Sequence, residues 1–196
     1  IRRDRNLHFR SIIFEFSANY RYYFIKEKFG NVFKLRGAHN NFFANLSAYA
    51  SLGIGGAYFN PKAEYNGQWV ALQPLGTEGQ GIIPGREPYS RVTLIIPGAV
   101  GARYSLGRKW ALSMEYGFRK TFTDYMDDVS TTYADDALLR AERGDAAADL
   151  ANPAFTKSWF GAGNQRGNPE NQDYYMMLTL SVHYKLLKGQ GFRPRF

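Results

Sequence analysis

The strongest constraint on this chain is a period of two. Five stretches alternate large apolar residues with small or polar ones over about ten positions or more, which suits strands and not helices. Near residues 11–25, Ile12, Phe14, Phe16, Ala18, Tyr20, Tyr22 and Phe24 alternate with Ser11, Glu15, Ser17, Asn19 and Arg21. Near 41–59, Phe42, Ala44, Leu46, Ala48, Ala50, Leu52, Ile54 and Tyr58 oppose Asn45, Ser47, Ser51, Gly53 and Gly55. Near 90–105, Val92, Leu94, Ile96, Val100, Ala102 and Tyr104 oppose Arg91, Thr93, Gly101, Arg103 and Ser105. Near 109–123, Trp110, Leu112, Met114, Tyr116, Phe118 and Phe122 oppose Ser113, Glu115, Gly117, Arg119 and Thr121. Near 173–187, Tyr174, Met176, Leu178, Leu180, Val182 and Tyr184 oppose Asp173, Thr179, Ser181, His183 and Lys185. Strands of globular proteins run to about 5–6 residues, whereas a tilted membrane crossing takes about 9–11.

Alternation does not say which face is wet, and a soluble lipocalin-like barrel alternates with its apolar face inward. Two details favour the inverted arrangement. The polar faces are rich in Gly, Ser and Asn, which fit the crowded lumen of a narrow barrel better than the Lys and Glu of a solvated sheet. The aromatics gather toward strand ends: Tyr22, Phe24, Phe42, Tyr104, Trp110 and Tyr184 in one group, Phe14, Tyr58, Phe118, Phe122 and Tyr174 in the other. Paired aromatic girdles around an aliphatic band mark the two interfaces of a membrane. The mean hydropathy of -0.42 does not oppose this, because half of each barrel strand faces the lumen.

The chain has no cysteine, which removes disulfides and thiolate metal ligands. A formal charge of +8 raises nucleic-acid binding, but the cations are spread over loops and polar strand faces without a continuous stripe, so no nucleic-acid partner is expected. The chain opens Ile1-Arg2-Arg3-Asp4-Arg5 with no leader, so export implies a leader already removed.

Connection lengths give an orientation. Ser105–Lys109 is a tight turn, whereas 60–89 and 124–172 are long loops; outer-membrane barrels keep short turns in the periplasm and long loops outside. On that rule the first visible strand runs from outside to inside. Even-stranded barrels keep both termini in the periplasm, so an odd number of strands precedes it. The expectation is one all-β domain over 1–196: an antiparallel up-and-down transmembrane β-barrel, eight-stranded in full, with its N-terminal strands missing from this chain.

Candidate sites follow from that frame. Glu15, Arg21, Arg91, Arg103, Glu115 and Arg119 form a lumenal charge network, paired because a buried lone charge is costly, and they leave no large pore. Lys26, Lys28, Lys34, Arg36, Arg108, Lys109, Lys188, Arg193 and Arg195, with Phe192, lie at a periplasmic rim. They suit either lipid headgroups or a docked protein steered by complementary charge. Asp124, Asp127, Asp128, Asp135 and Asp136 lack the EF-hand spacing and read as a solvated loop with Asp-type turns. Gly76, Gly79, Gly81 and Gly85 lack the Gly-Lys-Ser/Thr ending of a phosphate loop and read as tight turns. Ala134–Leu150 has helical composition and a weak apolar stripe, which predicts a surface helix. His8, His39 and His183 are scattered, no nucleophile–base pair stands out, and neither a metal nor a cofactor is implied.

Three segments carry a resemblance to a known family. They are Asp4–Ser11 followed by Phe14-Glu15-Phe16, then Gln73–Gly81 (Gln-Pro-Leu-Gly-Thr-Glu-Gly-Gln-Gly), and Arg119–Tyr133 with its Thr-Phe-Thr-Asp-Tyr-Met-Asp-Asp core. The chain resembles the PorG family, outer-membrane barrels of the type IX secretion system. That resemblance implies a non-enzymatic role in protein export, anchoring or organising the periplasmic PorK–PorN ring, with outer-membrane lipids as the other partner and no small-molecule substrate. A small outer-membrane barrel handling ions or small molecules is the alternative.

Overall fold

The period-two stretches form strands. The computed structural model describes residues 2–26, 45–106 and 109–186. Along them run β1 (Arg10–Ile25), β2 (Leu46–Tyr65), β3 (Gln68–Ala71), β4 (Val92–Ser105), β5 (Trp110–Thr121) and β6 (Tyr174–Tyr184), with short helices α1 (Arg2–Arg5), α2 (Asp136–Arg143) and α3 (Asp145–Ala151). The fold is all-β: a mostly antiparallel sheet in the order β1-β2-β4-β5-β6, with β3 paired to β2 off that path. Consecutive long strands are neighbours throughout, and among the described residues β1 and β6 end the order.

The large apolar side chains on the parity read from the sequence are exposed, which is unusual. Ile12, Phe14, Phe16, Tyr20, Tyr22 and Phe24 of β1 are exposed, Phe16 to 87 %. So are Leu52 and Ile54 of β2, Val92, Leu94 and Val100 of β4, and Trp110, Leu112, Met114, Tyr116 and Phe118 of β5. On β6, Tyr174, Met176, Leu178, Leu180, Val182 and Tyr184 are exposed, Leu180 to 74 %. In an ordinary sheet these side chains would be the buried ones.

The long connection after β2 is more ordered than its length suggests. The expected loop over 60–89 is corrected at its start: β2 runs on to Tyr65 for 20 residues in all and turns back into β3. The turn residues Asn66 and Gly67 have φ of 51 and 78, the left-handed pair that a two-residue hairpin requires. The hairpin sets Lys62 opposite Ala71 and Glu64 opposite Trp69.

The described chain divides into two compact units, each of which takes a part of every long strand. The first comprises Ile1–Ser17, Ile54–Ile96 and Lys120–Tyr174 and carries both long connections. Its core lies in those connections. Leu139 of α2 and Ala148 and Ala151 of α3 pack with Ala134 against Ile82 and Ile83, and Leu150 packs with Ala63 and Leu72. The single surface helix expected over Ala134–Leu150 is therefore corrected to two helices: α2 lies at the surface and buries Leu139, while α3 buries Ala147, Ala148, Leu150 and Ala151. Its stripe looked weak because alanine carries most of it, and alanine permits close backbone approach instead of adding bulk. The Asp135 side chain caps α2 by accepting from the Leu138 N–H at 2.9 Å. The second unit comprises Ala18–Gly53, Pro97–Arg119 and Tyr175–Phe196.

Leu139 distinguishes a packed α2 from a solvated one. Leu139→Ala is expected to destabilise the α2–α3 segment by about 2–5 kcal/mol, the cost of emptying a core site. A surface position would change by about 0.5 kcal/mol or less. Amide hydrogen exchange over 136–151 and at Ile82 and Ile83 reads the difference.

Candidate functional site

In the second unit the polar strand faces converge on one carboxylate. Glu115 of β5 pairs with Arg21 of β1 at 3.0 Å and accepts the Tyr49 hydroxyl of β2 at 2.7 Å. The Arg21 guanidinium also lies 4.1 Å from the Tyr49 ring centroid, and Tyr23 packs on that ring from 5.2 Å. Tyr49 fits because Gly101 lies beneath it: a Cβ there would stand 2.5 Å from the Tyr49 Cζ. One acid is thus held by a cation and a phenol drawn from two other strands. Tyr49 occupies an apolar-type residue on the polar face, so parity alone did not identify it.

The other charges assigned to this network have different settings. Arg119 of the second unit extends over Gly117, and the Arg103 carbonyl accepts from the Ser47 hydroxyl at 3.4 Å. In the first unit Glu15 accepts from Ser17 at 3.2 Å. Arg91 precedes β4 and places its guanidinium 5.5 Å from the ring centroid of Tyr58, a residue of the apolar face. A strand's parity fixes its own residues, but a long side chain just beyond its end can turn to either face. Ser113 Oγ lies 2.8 Å from His183 Nε2, a pair the sequence did not suggest. Among the described residues no carboxylate orients that imidazole, so the contact lacks the third member that makes a serine nucleophile.

The densest polar cluster lies in the loops of the first unit. Glu78 is fully buried. Its carboxylate accepts from the backbone N–H groups of Ser130 at 2.8 Å and Thr131 at 3.0 Å, and from the Thr131 hydroxyl at 2.6 Å. It pairs with the equally buried Arg166 at 3.1 Å. Arg166 also reaches Asp128 at 3.8 Å and donates to the Asp128 carbonyl at 2.5 Å. Asp128 accepts the hydroxyls of Thr77 and, at 2.6 Å, Tyr89. Tyr89 stacks on Tyr125 at 4.4 Å and on Phe59 at 6.3 Å. Arg86 closes the far side by donating to the Glu78 carbonyl at 2.6 Å and the Thr132 hydroxyl at 2.7 Å.

This arrangement corrects the reading of a solvated loop at Asp128, while the expected Asp-type turn is present, Asp127 accepting from the Val129 N–H at 3.0 Å. Asp128 is fully buried, and its φ of 67 is one that aspartate tolerates better than most residues. Burial raises the carboxyls of Asp127 and Asp128 to about 6; Asp173 adds to the rise at Asp127, while Arg166 opposes it at Asp128. Burial also raises Asp124 to about 6. The Tyr89 phenol is pushed up by burial and by Asp128. Among the described residues no group of three or more such side chains is placed to hold a metal ion. The chemistry of the cluster is structural: complementary charges and donors lock two distant segments together.

Of the basic rim, Lys26 and Lys109 fall in the described part. Lys26 follows β1, Lys109 precedes β5, and both are exposed. Lys28, Lys34, Arg36, Arg108, Lys188, Phe192, Arg193 and Arg195 lie outside the described residues. The residues that sequence reasoning missed are Glu78 and Arg166. One signal was present: Gln73–Gly81 and Arg119–Tyr133 were both distinctive as segments, and they meet at Glu78. The chain matches no protein-family model, no curated protein and no solved structure.

Glu78→Gln is expected to destabilise the first unit by about 3–5 kcal/mol, because it removes the paired charge from a buried cation. Asp145→Asn, at the exposed ion pair with Arg140, is expected to leave stability nearly unchanged. Protease protection of 124–131 reports both. Equal effects would place Glu78 in a solvated setting.

Proposed function

We propose that this chain supplies strands and external loops of a transmembrane β-barrel in the bacterial outer membrane, a non-enzymatic component of the type IX secretion machinery that anchors or organises the PorK–PorN ring. The observation that carries the membrane part is the exposed row of large apolar side chains on β1, β2, β4, β5 and β6. Such a surface is far larger than a soluble monomer leaves uncovered, and hydrocarbon is its natural solvent.

Three further features support the reading. The strands of 11 to 20 residues reach or exceed the length of a tilted crossing, while no described helix is long and apolar enough to cross. Aromatic pairs of the kind found at membrane interfaces occur in each unit: Phe14 beside Tyr58 at 6.4 Å in the first, Trp110 beside Tyr184 at 4.8 Å in the second. The Arg21–Glu115–Tyr49 cluster suits a filled interior better than an aqueous pore, which weighs against the ion-handling alternative. Open sheet edges are not tolerated in hydrocarbon, so the barrel takes strands beyond those described to join β1 and β6.

The assignment to type IX secretion rests on the resemblance to the PorG family. In this reading the ring docks at the basic rim, where Lys26 and Lys109 project beside strand ends. Charge steers the encounter, and an aromatic such as Phe192 supplies anchoring area.

Mild-detergent capture of the full-length protein from native membranes tests the role. PorK and PorN are expected in the eluate, and to be lost when Arg108, Lys109, Arg193 and Arg195 are neutralised. A solitary barrel, under conditions that keep the ring intact, would contradict the assigned role and leave the membrane fold standing.

A further inference from the structure

The apolar face of the first unit does not end in neutral residues. Four positions along β1 from Phe14, away from the strand's centre, stands Arg10; four positions along β2 from Tyr58, toward the hairpin, stands Lys62. Even spacing keeps each on the face of its aromatic neighbour, and the Phe14 and Tyr58 rings are themselves adjacent. Lys120 of β5 is exposed on the same parity as Phe118 and Phe122. Arg91 turns its guanidinium onto Tyr58. Glu64 stands opposite Trp69 in the hairpin, and His8 accepts from its backbone N–H at 3.3 Å.

The cations are held in a particular way. The Arg10 guanidinium lies 3.7 Å from the Trp69 ring centroid, a stacked contact, and His8 meets the same ring edge-on at 6.4 Å. Stacking uses the flat face of a guanidinium and leaves its in-plane N–H donors pointing outward, the geometry that grips phosphate through two parallel bonds. Cations that border an apolar face suit an anion that arrives already attached to a hydrocarbon body.

We propose that Arg10, Lys62, Arg91 and Lys120 form a binding rim for the phosphorylated headgroups of lipids in the leaflet that meets the first unit, with Trp69 and Tyr58 orienting the two guanidinium groups. The inference rests on the membrane reading above and adds a ligand class to it. The acyl chains lie along Phe14, Tyr58 and Leu94, and the phosphate sits beside the cations. Headgroup charge, not acyl length, sets the preference. Each basic residue near an anionic lipid surface contributes about fivefold in affinity.

The test uses the full-length protein reconstituted in phosphatidylcholine bilayers doped with lipid A, either bearing its phosphates or stripped of them. Co-flotation with the bilayer is read first, and lipid retained after detergent extraction is then counted by native mass spectrometry. The wild type is expected to keep phosphorylated lipid A and to lose the stripped form. Retention is expected to fall about fivefold for each of Arg10→Gln, Lys62→Gln and Lys120→Gln, while Arg10→Lys keeps most of it and all variants still float. Floating protein that retains both lipids equally would overturn the proposal alone, as would displacement of lipid A by inorganic phosphate, which would assign the rim to a free anion. Protein that does not float would overturn this proposal and the membrane reading together.

Discussion

Burial of apolar area ordinarily drives a sheet to fold against something, and the largest side chains of β1 and β6 find nothing of the protein to fold against. Phe16, Tyr20, Leu178 and Leu180 face outward, while their neighbours on the other parity include Ser17, Asn19, Arg21 and Ser181. In water that arrangement loses the hydrophobic term that offsets chain entropy. In hydrocarbon the exposed side chains are already in their preferred solvent, and backbone pairing carries the sheet instead. The small and polar residues of the opposite face leave room there for Tyr49 and its charged partners.

The loops of the first unit solve a different problem. They hold shape with little apolar bulk: α2 and α3 form modest clusters, and a buried ionic network supplies specificity. Glu78 and Arg166 lie 88 residues apart, and their pairing ties the connection after β2 to the one before β6. A buried ion pair contributes little net stability, because desolvation offsets its attraction, but it penalises every arrangement that leaves one member alone. The pair therefore selects one loop conformation among many.

The strands were legible because a period of two repeats over many residues and survives a few exceptions. Tyr49 and Phe59 are such exceptions: aromatics on the inner parity, accommodated by Gly101 beneath one and by stacking against Tyr89 in the other. The β2–β3 hairpin was also legible, since Asn66-Gly67 is a strong turn signal, yet its position inside a long connection concealed it. The Glu78 network was not legible, because pairing across 88 residues leaves no local period. The reach of Arg91 onto Tyr58 was illegible for a related reason, since a guanidinium at a strand end can settle on either face.

The account stands on the outward face being in contact with lipid. Because the chain contains no cysteine, single cysteines can be placed along β1 from Ile12 to Phe24 and along β6 from Tyr174 to Tyr184 without background labelling. With a nitroxide attached to each and the protein in bilayers, collisions with oxygen, which concentrates in hydrocarbon, can be compared with collisions with a water-soluble nickel chelate. The account predicts a period of two, with oxygen dominant at Ile12, Phe14, Phe16, Leu178 and Leu180 and suppressed at the residues between them. Nickel access at those same five positions would place that face in water and contradict it.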